Sequence, residues 1–475
     1  MHQRKYENLL GEIEMEFAQL WDILSQFKKG IDSAKFDNIY SFQYRLGIVL
    51  RKIQINYDQI AQKERELIGK KSKLSDGWFK KSLKNLHSKK HSLNSLKYIG
   101  RSLGDVFAYF FYQFDFEHLD HQLRHEEVSN FPTKVGGLGE LEFIRNAKRF
   151  ADHFVIYHGI TNILRIGDVS LFNLKTLKLS GIGELKTQKK NEKELNVSIV
   201  LIGKKERMPF STLKSKKGPL KNLANGLPDQ ERAKRQIRAM TNSFPKGKRK
   251  TEPHLFGDIY HFSDIDKLIR TSKRYKLNFK KVSDGLIYIC VKNQKQFCKR
   301  FDKDPSFKKD TQAFNQSVKG IIIPNYKYNH LLYGSILYDK DDKPQLGLGV
   351  PPLFWSSLNL NTLRALYFHE VSVFTIFNPA HVFSRLEQRG FAVNVNNGVI
   401  ELTRPTKHGI IKTPGTSLKF FFDQVTYHGQ TEDGIVDLIN GFYDKVKNKK
   451  ISVTSKIELQ TRHLHRTSVD RKASR

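Results

Sequence analysis

The chain is poor in cysteine. Only 2 of its 475 residues are Cys, Cys290 and Cys298, too few for a disulfide framework or a Cys-rich zinc site. Acidic residues are scarce beside basic ones, 48 Asp and Glu against 82 Lys and Arg, for a formal net charge of +34 at pH 7. A field of that sign attracts polyanions: nucleic acid first, an anionic membrane surface second. Long apolar runs are missing as well. The densest stretch, Val106 to Phe114, is interrupted by Gln113 and falls short of the roughly 20 residues of a spanning helix. The opening MHQRKYENLL has no signal-peptide core, and no self-similarity occurs at solenoid periods. These absences predict a soluble, cytoplasmic protein without a transmembrane segment. With 39 % apolar and 27 % charged residues over this length, two to four globular domains are expected.

What is present begins with helices. Tyr6, Leu10, Ile13, Phe17, Leu20, Leu24 and Phe27 recur at alternating spacings of four and three, a coiled-coil seam. Gly30 is a natural stop. A second stripe follows through Ile39, Phe42, Leu46, Val49, Ile53, Tyr57, Ile60 and Leu67. Two such helices joined by a short loop predict an antiparallel hairpin. Heptads do not fix partners, so the seam serves either internal packing or a homodimer. Residues 69–101 are lysine-rich but keep Leu83, Leu86, Leu93, Leu96 and Ile99 at helical spacing. Their lysines form a solvated face or, with Trp78 and Phe79 alongside, one that meets phosphates. The aromatic run from Phe107 to Phe116 predicts core. His118, His121 and His125 have metal-ligand spacing on one helical face, yet no fourth ligand accompanies them, which favours an ordinary surface role over zinc.

Chemistry concentrates between Gly136 and Thr187. Gly139-Glu140 opens an apolar-periodic segment with Leu141, Ile144, Ala147 and Ala151 on one face, predicting a helix over 138–152. Strands are expected at 153–157 and 160–172, the second containing Gly167-Asp168. Then comes Gly183-Glu184-Leu185-Lys186-Thr187 on a further strand. Residues two apart share a strand face, so Glu184 and Lys186 point together and Leu185 points into the core. Residues 196–202 (NVSIVLI) predict another strand.

A Gly-x-Gly-Glu before a helix, then an Asp, then Glu-x-Lys resembles the PD-(D/E)xK nuclease superfamily, with the restriction-endonuclease-like fold, and within it the nuclease-related domains. The resemblance covers about a third of the chain and rests on Glu140, Asp168, Glu184 and Lys186. The family pattern has Pro before the Asp; here Gly167 stands there. The resemblance implies a metal-dependent nuclease acting on DNA, with defence or restriction as its setting. Asp168, Glu184 and the Leu185 carbonyl would hold Mg2+ or Mn2+, with Glu140 as a third acid. Lys186 would orient the water or stabilise developing charge. Glu142 competes with Glu140 as the helix acid, but the two leave a helix about 200° apart, so only one faces the site. In many such nucleases the helix after Glu-x-Lys supplies a Lys or Gln, which makes Gln236, on a helix expected over 229–241, the candidate. Without a cation, the same cluster reads as a surface salt-bridge group on an ordinary α/β domain.

From Thr187 to Lys250 there are 18 Lys and Arg against 5 Asp and Glu, a basic insertion suited to a phosphate backbone. The apolar segment 285–291 (GLIYICV) is expected to complete the core sheet. Beyond 296, strands are expected at 320–324, 331–338 and 391–402 and helices at 361–367 and 382–389, with no motif. The whole is α+β or α/β: a helical, coiled-coil-like domain at 1–130, a nuclease-like mixed sheet with flanking helices at 131–295, and an α+β accessory domain at 296–475. The competing expectations are a non-catalytic nucleic-acid-binding protein of the same fold and an assembly or membrane-surface protein built on the hairpin.

Overall fold

A computed structural model describes residues 3–29, 36–112, 116–123, 131–147, 153–173, 178–189, 195–203, 260–273, 276–292, 306–338, 352–396, 399–406 and 409–447. The protein is mixed α+β. It divides into two units, Met1–Pro253 with Leu348–Trp355, and His254–Gly347 with Ser356–Arg475. The boundary expected near residue 130 falls inside the first unit, and the one near 295 inside the second.

In the first unit, helices α1 (Gln3–Lys29), α2 (Phe36–Gly69) and α3 (Asp76–Tyr112) pack side by side. Helix α1 runs antiparallel to α2, with ion pairs Arg45–Glu16 and Lys52–Glu12, and α2 runs antiparallel to α3, with Glu64 beside His87 and Lys90 and Leu50 beside Gly100. The expected seam is spent within the chain: Tyr6, Ile13, Phe17, Leu20, Leu24 and Phe27 are buried, as are Phe42, Leu46, Val49, Ile53 and Ile60. A second copy would have to meet other faces, such as that carrying Met15, 61 % exposed. Helix α4 (Phe116–Leu123) buries His118; His125 lies outside the described residues.

The first sheet has the order β1-β2-β3-β4, from His153–Tyr157, Val169–Asn173, Lys178–Lys189 and Leu195–Gly203. Every described pairing in it is antiparallel, so the expected mixed sheet is not what these strands make. Each follows the last through a connection too short for the crossover that a parallel pair requires. The second expected strand is shorter than its apolar run: β2 starts only at Val169, and 158–168 form a 3-10 turn and loop. The expected helix is also shorter and earlier; α5 spans Val135–Arg145. The aromatic end of α3 seats on this sheet. Phe111 stacks on Phe154 with centroids 4.5 Å apart, Tyr112 meets Phe172 edge-on at 4.8 Å, and Phe107 lies between Phe42 and Phe154.

In the second unit the segment 285–291 does not join that sheet. It is β6 (Leu286–Lys292), central in a separate antiparallel sheet of order β5-β6-β8-β7 with Asn278–Lys281, Val371–Phe377 and Leu332–Ser335. Its fully apolar character suits a strand with neighbours on both sides as well in this sheet as in the other. Gly320 to Pro324 is no strand. Those residues turn, with Ile321 buried against Ile287 and Ile376 and the Ile323 amide donating to Asn329 Oδ1 at 3.0 Å. The single strand expected over 391–402 is a hairpin of β9 (Ala392–Asn396) and β10 (Val399–Thr406), extended by β11 (Gly409–Pro414). Helices over 360–367 and 380–388 occur as expected.

Close backbone approach fixes how the hairpin meets the sheet. A Cβ on Gly104 of α3 would overlap the Ile160 carbonyl oxygen, whereas one on Gly11 of α1 meets nothing within 4 Å. Gly104→Ala should therefore cost about 1–3 kcal/mol or more, since a backbone atom cannot step aside, while Gly11→Ala should gain up to about 1 kcal/mol. Urea midpoints of the two variants should move in opposite directions. A Gly104→Ala midpoint at the wild-type value would contradict the seating of α3 on Ile160.

Candidate active site around strand β3

Three local devices bring the predicted residues together. The first is glycine at the start of α5. A Cβ on Gly137 would overlap the Pro132 carbonyl oxygen and one on Gly139 would overlap the Thr187 hydroxyl. Bare backbone at Gly137 lets the segment before α5 fold back on the helix, and at Gly139 it lets α5 lie against β3. Glu140 thereby arrives beside the Glu-x-Lys strand, while Leu141 and Ile144 are buried.

The second device is the turn at Gly167, whose φ of 71° belongs to the left-handed region that glycine adopts without strain. It is held by His158, whose Nδ1 sits 3.1 Å from the Gly167 carbonyl and whose amide donates to the Asp168 carbonyl at 2.9 Å. The third device is strand register. Val169 pairs with Gly183, and the Asp168 amide donates to the Gly183 carbonyl at 2.8 Å. Asp168 thus sits just before β2 against Gly183, the residue that precedes Glu184 on β3. The Leu185 amide donates to Asp168 Oδ2 at 2.7 Å. In an antiparallel strand the amide and carbonyl of one residue face the same side, so the Leu185 carbonyl also looks toward Asp168.

Strand parity is as expected: Leu185 is buried, and Lys186 Nζ donates to Glu184 Oε1 on the opposite face. Glu142 points out of the site, is exposed, and pairs with Asn146 and Arg145. Between the two acids of α5, Glu140 is the one facing inward. Gln236 lies outside the described residues, as does the basic segment beyond Gly203.

Glu140 is where the electrostatics concentrate. Its carboxyl is pushed up to about 8, first by burial and then by repulsion from Asp168, with Glu184 adding; the Tyr157 hydroxyl and Lys186 offset part of this. Tyr157 donates to Glu140 Oε2 at 2.6 Å. Burial and that same carboxylate drive the phenol well above its ordinary range. The four predicted side chains therefore act on one another electrostatically, each half-buried, in a place with more acid than base.

Sequence reasoning missed the second layer. Gln43 of α2 grips β1 on either side of Ile156, its Nε2 donating to the Val155 carbonyl and its Oε1 accepting from the Tyr157 amide, each at 2.8 Å. Ser170 Oγ hydrogen-bonds with His158 Nε2 at 2.6 Å and with the Tyr112 hydroxyl at 2.7 Å. Burial lowers His158 to about 4, so the ring is neutral at physiological pH. Arg101, 4 % exposed, interacts electrostatically with Tyr157 and Asp105. The available signal was polarity inside apolar patterns: Gln43 within a buried stripe, and Tyr157-His158 ending a fully buried strand.

A hard divalent cation suits the donor set in kind, carboxylates plus a carbonyl; Glu140 is raised first by burial and only then by its acidic neighbour Asp168. Among the described residues no group of three or more His, Cys, Asp or Glu side chains is gathered closely enough to hold a metal ion; Lys186 takes up one Glu184 oxygen. Compared with protein-family models, curated proteins and solved structures, the chain matches none.

The raised Glu140 has a consequence for stability. Burial favours the protonated form, so its contribution is full below about pH 4.5 and is lost as pH rises through about 8. Thermal melts of Glu140→Gln should gain on wild type steadily between pH 5 and 9, because the amide cannot ionise. Parallel melting profiles across that range would show that Glu140 is not held in a desolvated, acid-rich place.

Proposed function

We propose that the chain is a divalent-metal-dependent nuclease that hydrolyses phosphodiester bonds of DNA, on a restriction-endonuclease-like core. The observation that carries this is the convergence of Glu140, Asp168, Glu184 and Lys186 at the start of β2 and the middle of β3. Asp168, Glu184 and the Leu185 carbonyl would hold Mg2+ or Mn2+, with Glu140 as a third acid acting directly or through water. A divalent ion bound there would supply a water of lowered pKa and polarise the phosphoryl oxygens. Lys186 then directs its ammonium at the attacking water or at the oxygen where charge develops. Tyr157 keeps Glu140 oriented, and Gln43 and His158 keep β1 and the Asp168 turn in place. Affinity comes from the basic field of the chain, in which the segment 187–250 and Gln236 are further candidates for substrate contact. The compartment that fits this reading is the cytoplasm, and genome defence is its setting by analogy of site alone.

A second reading is a nucleic-acid-binding protein that keeps the fold without cutting. The Lys186–Glu184 pair favours it, since a lysine already neutralises one would-be ligand.

Plasmid incubated with purified protein decides between them. Wild type should nick or linearise DNA in Mg2+ or Mn2+ and not in EDTA. Asp168→Ala and Lys186→Ala should each lower cleavage by at least 100-fold, on the order of one electrostatic contact in a transition state. Both should retain most of their DNA affinity, which is distributed over many lysines. Glu142→Ala, on the outer face, should cut like wild type. Cleavage by Asp168→Ala at the wild-type rate would remove Asp168 as a ligand, and a wild type inert with every divalent ion would favour the second reading.

A further inference from the structure

The α2–α3 hairpin ends in a basic tip that the site does not use. Lys70, Lys73, Lys81 and Lys84 are exposed and have no partner among the described residues. Lys71 and Lys80 stand beside them, the first over the Phe79 ring and the second paired with Asp76, the one acid between Lys70 and Lys84. Trp78 is 54 % exposed at the same end.

Both helices measure how far this tip lies from the candidate site. On α2, Gly47 marks the level of the site, since a Cβ there would meet Leu141 and Tyr157. Lys70, just past the end of α2, follows it by 23 residues. On α3, Arg101 marks the same level through its interaction with Tyr157, and Trp78 precedes it by 23 residues. At about 1.5 Å per residue each path rises about 34 Å. That is one turn of duplex DNA, about 34–36 Å or 10–10.5 base pairs.

We propose that the hairpin tip is a second backbone-binding surface for duplex DNA, engaging phosphates one helical turn from those at the Glu140–Lys186 site. The inference rests on the nuclease-like reading for the location of the first contact. Charge complementarity identifies the ligand as a polyanion, and two arguments select a duplex over a single strand. A duplex is stiff on this scale, so one rigid helix hairpin and one rigid ligand meet twice without ordering either. A single-strand track needs successive open aromatic faces. Here Trp78 is the one exposed aromatic ring of the tip, Phe79 is buried beneath Lys71, and Tyr57 and Tyr98 carry Lys97 over their rings.

The test is equilibrium binding of labelled DNA duplexes of 8, 11, 14, 18 and 24 base pairs to the full chain, by fluorescence anisotropy in EDTA so that no cleavage occurs. Wild type should show a step in affinity, about tenfold or more, once the duplex exceeds roughly one turn. A single strand of each length should show only a gradual rise. The quadruple variant Lys70→Gln, Lys73→Gln, Lys81→Gln and Lys84→Gln, all at exposed positions, should lose the step. Its log–log salt slope on the 24-base-pair duplex should fall by about 3 to 4, one for each phosphate contact removed. Trp78→Ala, which leaves every charge in place, should keep the step. A wild type without a step, one that binds no duplex, or a quadruple variant that keeps the step would overturn the proposal. Cleavage without a length step would sink the tip and leave the nuclease reading standing; a step without cleavage would do the reverse.

Discussion

The seating of the aromatic end of α3 on strands β1 and β2 is the contact on which the first unit depends. Phe107 and Tyr112, buried, and Phe111, half-buried, pack against Phe42, Phe154 and Phe172, and rings of this size dominate core energetics. Gly104 lets the helix come down onto the Ile160 carbonyl, and Tyr112 ends the helix with its hydroxyl on Ser170. Because of that seating, α2 and α3 form one wall of the candidate site. Gln43 fixes the β1 backbone on either side of Ile156, and Arg101 faces Tyr157 from within the protein.

That wall explains why the site is electrostatically tense. Glu140 enters a space already closed by helices on one side and by β3 on the other. Burial is the larger cause of its raised value and Asp168 the second. A surface salt-bridge cluster would have neither feature, since solvent would screen the acids from each other. Here Tyr157 and Lys186 offset only part of the charge. A place that holds three acids with one lysine is stabilised by protonation or by a cation, and the two compete for the same carboxylates.

Much of this was legible in the sequence, for physical reasons that differ by element. Alternation made Glu184, Leu185 and Lys186 readable, because strand parity is fixed by the pleat. Helical phase separated Glu140 from Glu142. The glycines at 137, 139 and 167 punctuate the motif, but nothing in the sequence tells that the first two are pressed by Pro132 and Thr187 or that the third turns left-handed. Less legible were distant partners. Nothing local to Gln43, Arg101 or Tyr112 tells that they converge on β1 and β2, since each sits in a pattern that reads as ordinary helix. Strand 285–291 went to the wrong sheet because an apolar run fits any central strand, and its neighbours β5 and β8 lie on either side of it in sequence. The run from Ile160 to Ile166 looked like strand because it is buried, but its polar groups go to Asp105 and Gln122, in the amides of Asn162, Ile163, Arg165 and Ile166, rather than to a ladder.

The claim at the centre is the proposed one, that Glu140, Asp168, Glu184 and the Leu185 carbonyl form one cation site, with the raised Glu140 carboxyl holding a proton while no cation is bound. Calorimetric titration of Mn2+ into the full chain at pH 7, in two buffers of different ionisation enthalpy, tests it most directly. Binding should be saturable, release about one proton per chain, and disappear in Asp168→Asn. No binding heat, or binding that Asp168→Asn leaves unchanged, would contradict it.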